Sequence, residues 1–173
     1  DMDATPGLAD GANEFYSVAG AEKQRELIPQ CSSGHAVIGV CDAPFKCPPA
    51  PSETALLLHD DLVKRGVREQ CEISVVIPFG TPVPPSPETS TALLEAFAER
   101  DIKFIADRRV SSLDTARNVA VLDDGSELDA DLVVMAVGIR PNLDLAKRAG
   151  LRCERGVLVD DTMQTSVPGI YAA

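Results

Sequence analysis

Cys47 is the residue whose type and surroundings most invite chemistry. It stands in FKCPPAPSE, residues 45–53, with Lys46 before it and Pro48, Pro49 and Pro51 behind it. Prolines fix φ and stiffen the turn that carries the sulfur. The Lys46 ammonium and a helix beginning a few residues on would both favour a thiolate, the reactive form of the side chain. That pattern fits a redox or nucleophilic cysteine. It also fits a small buried thiol beside a structural proline cluster. Glu53 falls in the first turn of the expected helix, where a carboxylate either complements the helix dipole or handles protons near a redox centre.

The remaining cysteines are Cys31, Cys41, Cys71 and Cys153, five in all. An odd number without regular spacing is a poor disulfide framework. A Cys41–Cys47 bond across the turn is geometrically conceivable, with nothing else in its favour. His35 and His59 share no ligand-like spacing with the cysteines, and no metal site is expected. A net charge of −11 over 173 residues repels phosphate backbones and argues against a nucleic-acid partner. No apolar run approaches a membrane span. The chain opens without Met and stops at PGIYAA, so it reads as an excised piece of a longer protein.

The elements that must position Cys47 follow from apolar patterning. HAVIGV, residues 35–40, reads as a strand buried on both faces. A helix is expected after the turn, capped by Ser52, burying Leu56, Leu57 and Val63 and stopped by Gly66. Residues 71–78 read as a second strand, 91–101 as a helix and IKFIA as a third strand. That order is β-α-β-α-β, the sign of a parallel sheet. Residues 1–17 read as a loop and 18–29 as a helix. Residues 109–129 alternate around an Asp124-Gly125 hairpin turn, an antiparallel meander. DLVVMAVG returns as a buried strand, a short helix follows, and GVLVDD and GIYAA read as final strands. The fold class expected is α/β, a Rossmann-like parallel sheet with an antiparallel β-meander. Residues 1–30 would connect, 31–140 form the central domain, and 141–173 lead back out.

A strand, turn and helix in this order usually hold a dinucleotide diphosphate on backbone N–H groups, with glycines for close approach. Between Val40 and Ser52 there is no glycine, and Pro44, Pro48, Pro49 and Pro51 supply no donor. The second strand ends VVIPFGTP, without the acid that would bind an adenine ribose. NAD(P) binding is therefore not expected.

CDAPFKCPPAPSETALL resembles the sulfide:quinone oxidoreductase and flavocytochrome c sulfide dehydrogenase family. These belong to the FAD-dependent pyridine nucleotide–disulfide oxidoreductase superfamily. PGL near the start, GVREQCEISVVIPFGTPVPPSP and TSVPGIYAA carry the resemblance along the chain. It implies the middle, NAD(P)-binding-like domain of a flavoprotein with two dinucleotide-binding domains. It implies that the cysteine at Cys47 is redox active beside the flavin and pairs with a second cysteine later in the chain. Glu53 matches a family Glu near that site, while Ser52 stands where the family often has an aromatic. Lys46, Pro48 and Gly138 are placed on the cofactor side. The activity implied is oxidation of sulfide or a related sulfur compound, with electrons passing through FAD to a quinone or cytochrome. This piece alone is not expected to hold FAD or to be active. A homo-oligomer is left open, as is the compartment, cytoplasmic or on a membrane or periplasmic face. DADLVVMAVGIRPNLDLAKRAGL resembles instead the NAD(P)H-dependent branch, which gives the alternative of an NAD(P)H-dependent FAD oxidoreductase. A third reading is a non-catalytic interaction domain, with the proline-rich loop 78–87 as its surface.

Overall fold

The structure is a computed structural model that describes residues 5–41, 47–136 and 141–172. The chain divides into two compact units, Asp1–Gly138 and Ile139–Ala173.

The first unit is built on a four-stranded parallel sheet. Its strands are β1 (Gly34–Val40), β2 (Cys71–Val76), β3 (Ile102–Ile105) and β7 (Leu132–Ala136), in the order β3-β2-β1-β7. The expected α/β class is what the chain adopts. β1 reads as one continuous apolar run because each of its faces is covered by a different layer. Ala36, Ile38 and Val40 turn to the helical layer, where Ala55, Leu58, Leu62 and Phe97 await them. Val37 turns to the other layer, against Val110, Leu113, Ala120 and Leu122. The period of two along the strand thus assigns each residue to its layer.

The helical layer holds α3 (Ala50–Arg65) and α4 (Pro87–Glu99). The opposite layer is the meander β4 (Val110–Asp114), β5 (Val119–Leu122) and β6 (Glu127–Asp129), a three-stranded antiparallel sheet. Gly125 turns the β5–β6 hairpin with φ 84, as its Asp-Gly signal requires. The meander sits tightly on the sheet at Gly39, where an added Cβ would come within 2.7 Å of a Val110 methyl. A side chain at residue 39 would push the two layers apart.

α3 departs from expectation in which face it buries. Ala55, Leu58 and Leu62 face the core, whereas Leu57 and Val63 are 61% and 53% exposed. The i, i+3, i+4 spacing of Ala55, Leu58 and Leu62 makes one stripe, and Leu57 and Val63 fall off it. Gly66 ends the helix as expected, left-handed at φ 72, with the Val67 N–H bonded back to the Leu62 carbonyl at 3.0 Å. α4 begins at Pro87, earlier than its apolar residues suggested, because Pro suits the first helical turn.

The amino-terminal stretch is more ordered than a loop. It forms α1 (Leu8–Gly11), and Asn13 then bridges Val134 in parallel, extending the sheet edge beyond β7. α2 (Val18–Leu27) starts on a Ser17 cap that accepts from the Gly20 N–H. The second unit contains α5 (Asp144–Arg148) and the isolated bridges Cys153–Val157, Val159–Thr165 and Gln164–Tyr171. GVLVDD and GIYAA therefore contribute single bridges where strands were expected. No helix among the described residues is long and apolar enough to cross a membrane.

Candidate functional site

β1 delivers the chain to the carboxyl edge of the parallel sheet. From β1, the strand order runs through β2 and β3 on one side and to β7 on the other. In α/β sheets such a switch point opens a crevice beyond the strand ends, the usual place for a ligand. Cys41 is buried at the end of β1, and Cys47 is exposed before α3. Lys46 and Gly138 lie outside the described residues. All five cysteines are free thiols, so Cys41 and Cys47 are not bonded.

Cys47 sits in the left-handed region, φ 58. A side chain there costs about 1–2 kcal/mol, which is why glycine usually holds such positions. The backbone around it is spoken for. The Cys47 carbonyl accepts from the Ala50 N–H at 2.9 Å, and the Pro49 carbonyl accepts from the Glu53 N–H at 2.9 Å. Pro49 and Pro51 have no N–H. The first turn of α3 has thus used or deleted most of the donors that normally make a helix start an anion site. Among the described residues 47–53, few backbone N–H groups remain free for a diphosphate.

Ser52 is not the helix cap. The cap position is Pro49, which makes no side-chain cap bond. Ser52 lies inside the first turn, fully buried, with no hydrogen-bond partner for its Oγ. An unmatched buried hydroxyl costs about 1–3 kcal/mol. Pro48 is half-buried, and Glu53 is exposed in the first turn, where its charge complements the helix dipole. Cys47, Pro48 and Glu53 are therefore brought to one corner, with the thiol exposed rather than packed away.

Tyr16 is the site neighbour that sequence reading missed. The Asn13–Val134 bridge runs the chain parallel to β7, towards the carboxyl edge. Phe15 and Tyr16 then pack on the α3 side of the core. Glu14 pins this segment by accepting from the Tyr16 N–H at 2.6 Å and the Ser17 N–H at 2.9 Å. Burial, and secondarily the charge of Cys47, pushes the Tyr16 phenol up to about 12. It stays protonated near the thiol. The signal in the sequence was the aromatic pair in EFYS, inside a stretch that read as loop.

Two further residues modify the sequence reading. The chain of β2 does end without an acid, but Asp107, after β3, reaches its end in space. The Asp107 N–H bonds the Phe79 carbonyl at 3.1 Å, and its carboxylate lies 3.7 Å from where a side chain on Gly80 would begin. His35 and His59 are tied into the fold. The His35 Nε2 and Ser74 Oγ are 2.8 Å apart, and the His59 Nδ1 accepts from the Arg68 Nε–H at 2.9 Å. Burial lowers both histidines from their ordinary value.

Comparison with known proteins gives a consistent result. The family described as Pyridine nucleotide-disulphide oxidoreductase matches residues 68–173. The rubredoxin-NAD(+) reductase of Alcanivorax borkumensis is 37% identical over 108 residues, 58% of this chain and 28% of that protein. The assimilatory nitrate reductase electron transfer subunit of Bacillus subtilis is 41% identical over 88 residues, 49% of this chain and 11% of that protein. Among solved structures, an NAD-dependent persulfide reductase from A. fulgidus matches with TM-score 0.67 and 28% identity, covering 94% of this chain and 28% of that one. The sulfide:quinone oxidoreductase of Aquifex aeolicus matches with TM-score 0.71 at 20% identity, covering 83% of this chain and 35% of that one, a likeness of fold. The chain spans well under half the length of each of these proteins.

Proposed function

The chain belongs to the pyridine nucleotide-disulphide oxidoreductase family, and on that premise we propose that it forms the middle of a flavin-dependent oxidoreductase in which Cys47 carries sulfur chemistry. The substrate class is sulfide or a related sulfur compound, and the electron acceptor beyond the flavin is a quinone or cytochrome. FAD would be held by other parts of the longer protein and would take the electron pair. Cys47 attacks or carries the sulfur, Glu53 assists with protons, and Pro48 holds the corner stiff; Lys46 and Gly138 are assigned to the cofactor side. The observation that carries this reading is the corner itself, an exposed cysteine in a left-handed conformation where glycine and free N–H donors would serve a diphosphate. Such strain persists only where surrounding structure enforces it, and it clusters at functional sites.

A second reading keeps the family and makes NAD(P)H the reductant. It is favoured by the relatives above that are named for NAD(+) and by the Asp107 carboxylate at the end of β2. Anaerobic stopped-flow absorbance of the full-length protein separates the two. The first reading expects rapid bleaching of the flavin by sulfide and slow bleaching by NADH. Rapid bleaching by NADH with none by sulfide would replace it with the second.

A further inference from the structure

Arg68, in the 3₁₀ turn Arg68–Gln70 ahead of β2, is a hub of the amino edge. Its Nη1 donates to the Cys71 carbonyl at 2.6 Å, and its Nη2 donates to the Arg100 and Asp101 carbonyls at 2.7 and 2.8 Å. These bonds join the entry of β2 to the corner between α4 and β3, where Asp101 is left-handed at φ 51. A further bond leaves this corner for α3: the Arg68 Nε–H donates to His59 Nδ1 at 2.9 Å. Carbonyl acceptors do not titrate near neutrality, whereas an imidazole does. Of these bonds, the one to His59 is the one that a change of pH can cut.

A guanidinium keeps its protons at any ordinary pH. The Arg68 Nε must donate, so His59 Nδ1 must present its lone pair, and the neutral ring carries its proton on Nε2. One proton from solvent, taken up at Nδ1, turns that acceptor into a donor. Two N–H groups and two positive charges then face each other where a hydrogen bond stood. His59 is half-buried, so water reaches the ring. We propose that His59 and Arg68 form an acid-released latch between α3 on one side and the entry of β2 and the α4–β3 corner on the other. The latch is closed while the imidazole is neutral and opens once Nδ1 is protonated.

The surroundings set the pH window. Burial first, then the charge of Arg68, lowers His59 below its ordinary 6.5; Asp60 on α3 opposes them, and Arg100 at the end of α4 adds to them. Between that lowered value and 6.5 the unfolded chain binds more protons. The stability the latch contributes is therefore full above 6.5, declines as pH falls and is gone below the folded value. Release is local. Arg68 keeps its carbonyl partners, and Arg65 still donates to the Ile28 and Pro29 carbonyls, both at 3.2 Å. What loosens is the hold of the β2 entry on α3, the helix that begins at the Cys47 corner.

The test is backbone hydrogen exchange of the full-length protein at about pH 8 and about pH 5, read by mass spectrometry and corrected for the intrinsic pH dependence of exchange. The proposal expects peptides from residues 58–70 to lose protection about tenfold at the lower pH, the worth of one hydrogen bond to a charged group. His59→Asn keeps an oxygen acceptor near the place of Nδ1 and does not titrate, so its protection should hold across the same range. His59→Phe, with no acceptor, should show the low protection at both. Histidine ¹⁵N spectra of the unmutated protein give a second readout, with the His59 signals assigned by their loss in His59→Asn. The neutral His59 ring should carry its proton on Nε2 and titrate below 6.5. Unchanged protection in the unmutated protein, a loss that persists in His59→Asn, or a neutral ring protonated on Nδ1 would overturn the latch.

Discussion

At the amino edge of the parallel sheet, side chains tie the structure to itself. Arg68 donates to the carbonyls of Cys71, Arg100 and Asp101 and to His59. Lys103 meets Glu72 at 2.6 Å, and His35 meets Ser74. At the carboxyl edge, the described start of α3 engages the Ala50 and Glu53 N–H groups, Cys47 is left-handed and Ser52 Oγ is buried without a partner. Both edges rest on the same core and each carries a left-handed non-glycine residue, Asp101 before β3 and Cys47 before α3; the carboxyl edge differs in its exposed thiol and its buried, unpartnered Ser52 Oγ.

That contrast can be broken most sharply at the sulfur. Cys47→Ser in the full-length protein should cut sulfide-dependent flavin reduction by at least about a hundredfold, measured by stopped flow. An unchanged rate would make Cys47 a structural residue like those at the other edge. The shared foundation is tested next. Leu62→Ala should cost about 3 kcal/mol in urea unfolding, because it empties a fully buried position. Leu57→Ala, on the exposed side of α3, should stay within about 0.5 kcal/mol. Equal costs would mean that the buried face of α3 has been misplaced. Arg68→Met should cost about 2 kcal/mol, since it strands several carbonyls at the amino edge.

Cys47→Gly reverses the sign. Relief of the left-handed strain, net of the extra freedom glycine has when unfolded, should raise stability by about 0.5–1 kcal/mol while removing sulfur chemistry. A loss of stability would show that the thiol packs rather than strains.

The smallest effect is electrostatic. Burial lowers His35 below its ordinary 6.5, against Glu72, Asp129 and Asp131 and together with Lys103. Between the lowered folded value and 6.5 the unfolded chain binds more protons, so stability present above 6.5 declines as pH falls through that window. His35→Gln should flatten that part of the stability profile. An identical slope in the variant would assign the pH dependence to other groups.

Much of this was legible in the sequence. The parallel strands, the meander and its Asp124-Gly125 turn follow from apolar alternation and turn chemistry, which are local. Cys47 and the proline corner were visible for the same reason. What local pattern could not give was anything decided by the third dimension. The face of α3 depends on which stripe meets the sheet, so Leu57 and Val63 read as core and are not. Ser52 looks like a cap until Pro49 takes the position. Tyr16 and Asp107 reach the carboxyl edge only through the Asn13–Val134 bridge and the bend after β3. GVLVDD and GIYAA have strand composition, yet pair only through single bridges.

The central physical claim is that the start of α3 has exchanged diphosphate donors for a positioned sulfur. The most direct measurement is a crystal structure of the full-length protein soaked with NAD. The account predicts no diphosphate at the turn from Cys47 to Glu53. Diphosphate oxygens within hydrogen-bonding distance of the Ala50 or Ser52 N–H groups would contradict it.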